Sequence, residues 1–233
     1  MYIVMCMLVR NERECLEAVL PTLPPAGPSL CYDRVVAIDG GSTDGTQQLL
    51  EDSGVEVISQ KTRGRGAAII EAINFIQADA YILFSPDGNE DVKDFPKFRD
   101  YLEQGADLVI ASRMMAGAYN EEDESFFKFR KWANLSFNAM ANIYFGRGKP
   151  FVSDSINGYR AITKSLANKL SLDANDYTIE YQMTMRALKY GAKIIEFPTH
   201  EYPRIAGFTG APSIPTGIRF VKRFFLEVRK GFK

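Results

Sequence analysis

The sequence predicts an α/β fold with a mainly parallel, doubly wound sheet, closed by an amphipathic C-terminal helix. Short β-branched runs alternate with helix-length segments through the first half of the chain. The runs are continuously apolar, as strands covered on both faces must be. Residues 216–233 separate basic from apolar side chains at helical spacing.

In order, residues 2–9 read as a strand and 12–20 as a helix stopped near Pro21. Strands at 34–38, 55–59 and 80–84 precede helices at 43–52, 66–76 and 94–104. A fifth strand occupies 107–111. The second half is less regular. Residues 125–145 predict a long helix whose acidic start at 121–124 suits the helix dipole, followed by a Gly/Pro-bearing loop at 146–150. A strand at 158–163, a helix at 177–190 and a strand at 193–198 come next. The Gly/Pro-rich stretch 203–215 reads as a mobile loop and 216–232 as the closing helix. No repeat or linker interrupts the chain. Residues 1–215 are expected to form one domain and 216–233 an appended basic helix.

The 233 residues are 46% hydrophobic and 24% charged, which excludes disorder. A net charge of -1 argues against nucleic acid as a partner. Cys6, Cys15 and Cys31 form no CxxC pair, so neither a disulfide framework nor a zinc site is expected, and a reducing compartment is the natural reading. His200 is the sole histidine and is read as structural rather than as a base. Residues 1–9 lack a basic n-region and a cleavage site, so they read as a buried strand and not a signal peptide. No run of about 18 apolar residues is present. Cytoplasmic, peripheral membrane association is expected.

Polar residues collect where the strands end, the place where open α/β sheets bind ligands. The second strand runs into Asp39-Gly40-Gly41-Ser42-Thr43-Asp44-Gly45-Thr46. Its glycines permit a sharp turn, and Asp39 can accept hydrogen bonds from a base or ribose. The third strand leads to Gly64-Arg65-Gly66-Ala67, a plausible anion cradle before a helix. Ile69 stands where a dinucleotide fingerprint needs its third glycine, which argues against a dehydrogenase. The fourth strand delivers Asp87-Gly88-Asn89-Glu90-Asp91. Asp87, Asn89 and Asp91 are hard oxygen ligands that suit Mg2+ or Mn2+ bridging a diphosphate. An Asx-rich turn capping the next helix is the plainer alternative.

Together these segments resemble family-two glycosyltransferases of GT-A architecture, in the branch of dolichyl- and polyprenyl-phosphate mannose or glucose synthases. Val9-Arg10-Asn11-Glu12 resembles the "YNE" element, and Ile38 to Thr46 the "VDDGSTDGT" element. Gly64-Arg65-Gly66-Ala67 resembles "GKGxA", and Asp87-Gly88-Asn89 stands at the DxD motif. Ala111-Ser112-Arg113 resembles "GSR", and Asp154-Ser155-Ile156-Asn157-Gly158-Tyr159-Arg160 resembles "DPTSGFR". The resemblance spans residues 3 to 205 or so. Three departures stand out: Arg10 for Tyr, Gly40 for the second Asp, and Asn89 for the last Asp of DxD. The first two bear on base identity and the third on metal affinity.

The resemblance implies a metal-dependent inverting transferase that moves a hexose from a nucleoside-diphosphate sugar to a polyprenyl phosphate. It implies donor contacts from Val9, Asn11, Glu12, Asp39, Gly41, Arg65, Gly66, Asp87 and Gly88, with Arg204 clamping the diphosphate from the loop. Asp87, Asn89 and Asp91 would hold the metal. Arg113 would grip the acceptor phosphate, with Arg130, Lys131 and Asn134 beside it. Asp87, Arg113 and Glu180 are the catalytic candidates. For a saccharide-hydroxyl acceptor, Glu180 or Asp154 would serve as base. A nucleotidyltransferase is a rival class, but the first strand leads to no glycine-rich loop. A non-catalytic nucleotide-sugar binding subunit is another, opposed by the presence of Asp87 and Asp91.

On a helical wheel Arg219, Lys222, Arg223, Arg229, Lys230 and Lys233 share one arc. Ile218, Phe220, Val221, Phe224, Phe225, Val228 and Phe232 fill the other side. Such a helix suits an anionic membrane surface, or it packs its phenylalanines on the domain; the two can hold together. A membrane-protein partner or a second copy of the chain is also open.

Overall fold

The computed structural model describes residues 1–120, 129–146, 151–207 and 213–231. Seven strands form one sheet: β1 (Ile3–Val9), β2 (Arg34–Asp39), β3 (Glu56–Ser59), β4 (Ala80–Phe84), β5 (Leu108–Ser112), β6 (Arg160–Thr163) and β7 (Ile194–Pro198). Their order is β3-β2-β1-β4-β6-β5-β7. The eight α-helices of the described residues are α1 (Arg13–Val19), α2 (Thr46–Asp52), α3 (Arg65–Phe75), α4 (Phe95–Glu103), α5 (Phe129–Ala141), α6 (Lys164–Leu170), α7 (Ile179–Tyr190) and α8 (Ser213–Lys230).

Alternating side chains of β1 separate the core into two layers. Val4 and Cys6 pack with residues of α3, α6, α7 and α8. Ile3, Met5, Met7 and Val9 pack with α1, α2 and α4. All but one residue of β1 is buried, which explains its unbroken apolar run.

The sheet is mixed. β6 lies antiparallel between β4 and β5, so the fourth and fifth strands do not pair as simple alternation suggests. Helix α2 begins at Thr46, not at residue 43. Asp44 Oδ1 accepts both the Thr46 amide and hydroxyl, holding the preceding residues in a turn. Helix α6 follows β6 without a loop, because Thr163 ends the strand and caps the helix through Leu166 N. The helix read at 125–145 is described from Phe129 and ends in a π-turn, Asn142–Gly146. There Asn142 exchanges hydrogen bonds with the Val152 backbone, at 2.8 Å in each direction. The stretch read as a loop to residue 215 gives way to α8 at Ser213, with Pro215 in the first turn, where its missing N–H costs nothing.

Helix α8 is docked. Phe220 and Phe224 are buried, with Phe220 against Phe137 and Tyr181. Glu227 is fully buried against Arg186 and Lys189 of α7. Only half of the apolar arc is used in this way. Ile218, Val221, Phe225 and Leu226 remain exposed, next to the basic arc. No described helix is long and apolar enough to cross a membrane.

Candidate active site

The ends of β1 and β2 are tied into one unit. Asn11 takes a left-handed backbone (φ 54°) and accepts the Thr43 amide at 2.8 Å. Glu12 N donates to Thr46 Oγ1 at 3.0 Å. Asp39 is buried, and its carboxylate accepts from Gly41 N, Ser42 N and Gln47 Nε2. Its charge is spent on shaping the loop. Gly41 leaves its backbone exposed at the tip of this loop.

The anion cradle read at residues 64–67 is closed. The amides of Gly66 and Ala67 donate to Asn175 O, and a Cβ on Gly66 would meet Ala174 O at 1.9 Å. These glycines let α3 pack on the loop before α7. What reaches ligand space is Arg65, whose Nε donates to Glu180 Oε1 at 2.6 Å and Nη1 to Ser85 Oγ at 3.0 Å.

A cavity of about 520 Å³ opens beyond the end of β4. Asp87, Asn89 and Glu90 line one side, Arg65, Glu180 and Gly158 another. Asn134 and Phe137 of α5 and Thr216, Gly217 and Phe220 of α8 close the far wall. Lys131 is not part of this lining, and the side chain of Arg130 falls outside the described residues. Asp91 is not on the wall either. Its Oδ1 accepts Lys93 N at 3.0 Å, so it caps the turn leading into α4.

Three arginines face the cavity, each already paired. Arg204 reaches Asp87 Oδ2 at 2.8 Å and Glu12 Oε2 at 2.7 Å, while Ile205 N donates to Asp87 O. Ile205 covers Gly88, where a Cβ would meet it at 2.5 Å. Arg113 holds Asp154 through Nε at 2.8 Å and Glu201 through Nη1 at 2.8 Å. Burial opposes the Arg113 charge, yet these two carboxylates keep it firmly protonated. Burial raises the Asp87 carboxyl above its usual range, with Arg204 pulling the other way. Burial also pushes Glu90 well above its ordinary value.

The donor set fits a hard divalent cation. Asn89 Oδ1 is buried without a hydrogen-bond partner, two residues from Asp87. Among the described residues no three acidic, histidine or cysteine side chains converge as a metal cage. A cation here would therefore complete its shell with phosphate oxygens, as Mg2+ commonly does. Glu201 escapes sequence reasoning, because no motif marks it and only the fold brings it to the cavity; Ser85 and Glu90 lie beside the Asp87–Asn89 motif but are given no role by it. His200 also lines the cavity, stacked on Tyr119 with ring centroids 4.4 Å apart.

The sheet, with a cavity and its Asp-Gly-Asn lip beyond the carboxyl end of β4, has the architecture of the GT-A glycosyltransferase fold. The chain belongs to glycosyl transferase family 2, whose family model matches residues 5–163. It is 32% identical to glycosyltransferase AglJ of Haloferax volcanii over 203 residues, which is 84% of this chain and 62% of that protein. It is 27% identical to polyprenol monophosphomannose synthase of Mycolicibacterium smegmatis, over 81% of this chain and 72% of the relative. The fold is similar to glucosyl-3-phosphoglycerate synthase from Mycobacterium tuberculosis (TM-score 0.73, 19% identity, 96% of this chain and 80% of that one). A crystal structure of that synthase with Mn2+, uridine diphosphate and glucosyl-3-phosphoglycerate superposes at a TM-score of 0.71, with 18% identity over the same shares of the two chains.

Proposed function

We propose that the protein transfers a hexose, with inversion, from a nucleoside-diphosphate sugar to a polyprenyl phosphate at a membrane surface. The observation that carries this reading is the cavity itself. Its lining joins Asp87 and Asn89, whose side-chain oxygen is orphaned, to residues of α5 and α8. The outer faces of those helices expose Trp132, Leu135, Phe225 and Val221 beside Lys222 and Arg229. Relatives named as polyprenol monophosphomannose synthase and dolichol-phosphate mannosyltransferase support the acceptor class.

In this reading Asp87 and Asn89 hold Mg2+ or Mn2+, and Asp91 fixes the turn that presents them. A divalent cation held there would supply positive charge to stabilise the departing nucleoside diphosphate. Arg204 moves from Glu12 and Asp87 onto the donor diphosphate, leaving Glu12 to meet the ribose and Gly41 the nucleoside. A phosphate acceptor is anionic at neutral pH and needs no base, so the residues position it and exclude water. Asn134 and Arg113, which line the cavity, would meet the acceptor phosphate, with Arg130 and Lys131 near the start of α5.

One observation favours a second reading, transfer to a saccharide hydroxyl. The Arg113 guanidinium is shared between Asp154 and Glu201, which is costly to undo for an incoming phosphate. Incubation with UDP-, GDP- and CDP-sugars, Mn2+ and polyprenyl phosphate tests both. Nucleoside diphosphate release that requires the lipid phosphate supports the first; release driven equally by free saccharides overturns it.

Asn89→Asp restores a carboxylate at the same reach. It is expected to retain transfer and lower the Mn2+ concentration needed for half-maximal activity; a higher requirement would argue against Asn89 as a ligand. For the membrane surface, removal of residues 216–233 would strip Phe220, Phe224 and Glu227 from the interior, so exposed point changes are the proper probes. Lys222→Glu with Phe225→Ser is expected to abolish flotation with anionic vesicles while the fold is kept. The wild type should float and release its vesicles as salt rises. Equal flotation of the variant would remove α8 as the contact.

A further inference from the structure

We infer that Glu180 is a positioning residue, holding the Arg65 guanidinium so that Arg65 meets the donor diphosphate from the side opposite Arg204. This rests on the donor reading above. Arg65 is the first residue of α3, and its side chain crosses to the first turn of α7. Its Nε donates to Glu180 Oε1 at 2.6 Å, and Nη1 to Ser85 Oγ at 3.0 Å, two residues before Asp87. Nη2 finds no acceptor among the described residues and faces Gly158, where a Cβ would stand 2.2 Å away.

The pair exposes its cation rather than its anion. The Arg65 side chain is 17% exposed and that of Glu180 only 3%. Glu180 commits Oε1 to Arg65, which ties the carboxylate to the guanidinium. The backbone that carries Glu180 is held from behind. Fully buried Arg160 donates to Glu180 O at 3.0 Å, to Thr184 Oγ1 at 3.1 Å, and to the carbonyls of Ser155 and Asn157. One arginine thus locks the start of α7 to the 155–158 wall, and the gap at Gly158 receives the other arginine. Preorganised cations of this kind need no rearrangement as charge develops on a leaving group.

The test compares Arg65→Ala, Glu180→Ala, the double variant, Glu180→Gln and Gly158→Ala. Isothermal titration with UDP or GDP in the presence of Mn2+ is read alongside kcat, KM and the pH profile. Arg65→Ala and Glu180→Ala should each weaken nucleoside diphosphate binding by about 10–100-fold, the range of a charge-assisted hydrogen bond. The double variant should be no worse than either single one. Glu180→Gln still offers Nε an oxygen. It should stay within about threefold of wild type and keep the wild-type pH profile, a rescue that also guards against misfolding in Glu180→Ala. Gly158→Ala displaces the guanidinium, while its Cβ meets Glu180 Oε1 only at an ordinary contact distance of 3.6 Å, and it should reproduce the binding loss. The inference is overturned if Glu180→Gln loses kcat with the acid limb of the profile while nucleotide binding is unchanged, which marks a base. Multiplying effects of Arg65→Ala and Glu180→Ala overturn it too. Wild-type protein that binds neither nucleotide removes the donor reading itself, and this role with it.

Discussion

Asp87→Ala is expected to lower kcat by at least about 10²–10³-fold, the scale for removing one preorganised charge-stabilising group from a transfer site. Asp87 accepts the amide of Asn89, whose side-chain oxygen is orphaned, at 3.3 Å, and it is one of the two anions that Arg204 spans. Its removal takes away the charged ligand of the proposed cation and leaves Arg204 with Glu12 alone. The fold should survive, since Asp87 lies in a turn and contributes no apolar burial. The measurement is metal-dependent nucleoside diphosphate release, with chelation of the wild type as the matched control. Full metal-dependent activity in Asp87→Ala would move the metal elsewhere.

The second large effect falls on stability. Glu227→Ala should destabilise the protein by about 3–5 kcal/mol, because it strands Arg186 and Lys189 beside a buried void. For a chain of this size that is a drop in Tm of about 6–20 °C. Differential scanning calorimetry checks it; a shift under about 2 °C would mean that α8 is not latched through this carboxylate. The same latch predicts acid sensitivity. Burial opposes the charge of Asp173 and Glu227, but Lys230 and Gln182 on one, and Arg186 and Gln182 on the other, hold both carboxyls below their ordinary values, Asp173 at about 2. Carboxyls lowered in the folded state contribute stability that is fully present above their unfolded values near pH 4. That contribution is lost as pH falls toward 2. Loosening of α8 should therefore begin below about pH 4 and lead global unfolding.

Strands β1, β2, β4 and β5 are legible because burial writes apolar runs, whereas edge strand β3 is marked only by Val57 and Ile58 between exposed Glu56 and Ser59. β6 is legible as a strand at 158–163, but its place is not: it runs antiparallel between β4 and β5, an insertion that alternation cannot reveal. Helix α6 hides because Thr163 serves strand and cap at once. At the site, motifs mark which residues gather but not whom they face. Asp39 and Gly66 have the chemistry of ligand contacts, yet Gln47 in one case and Asn175 in the other claim them. Glu201 meets Arg113 across 88 positions of sequence, a separation that no local pattern encodes.

Helix α8 gives its inner face to the cavity through Thr216, Gly217 and Phe220, and its outer face to solvent through Ile218, Val221 and Phe225. The two faces are separated by the thickness of one helix, about 10 Å. A push on the outer face therefore arrives at the substrate wall with no hinge between to absorb it. If a bilayer supplies the push, its lateral tension and lipid composition become inputs to turnover, and an enzyme assayed in detergent reports on a differently shaped pocket.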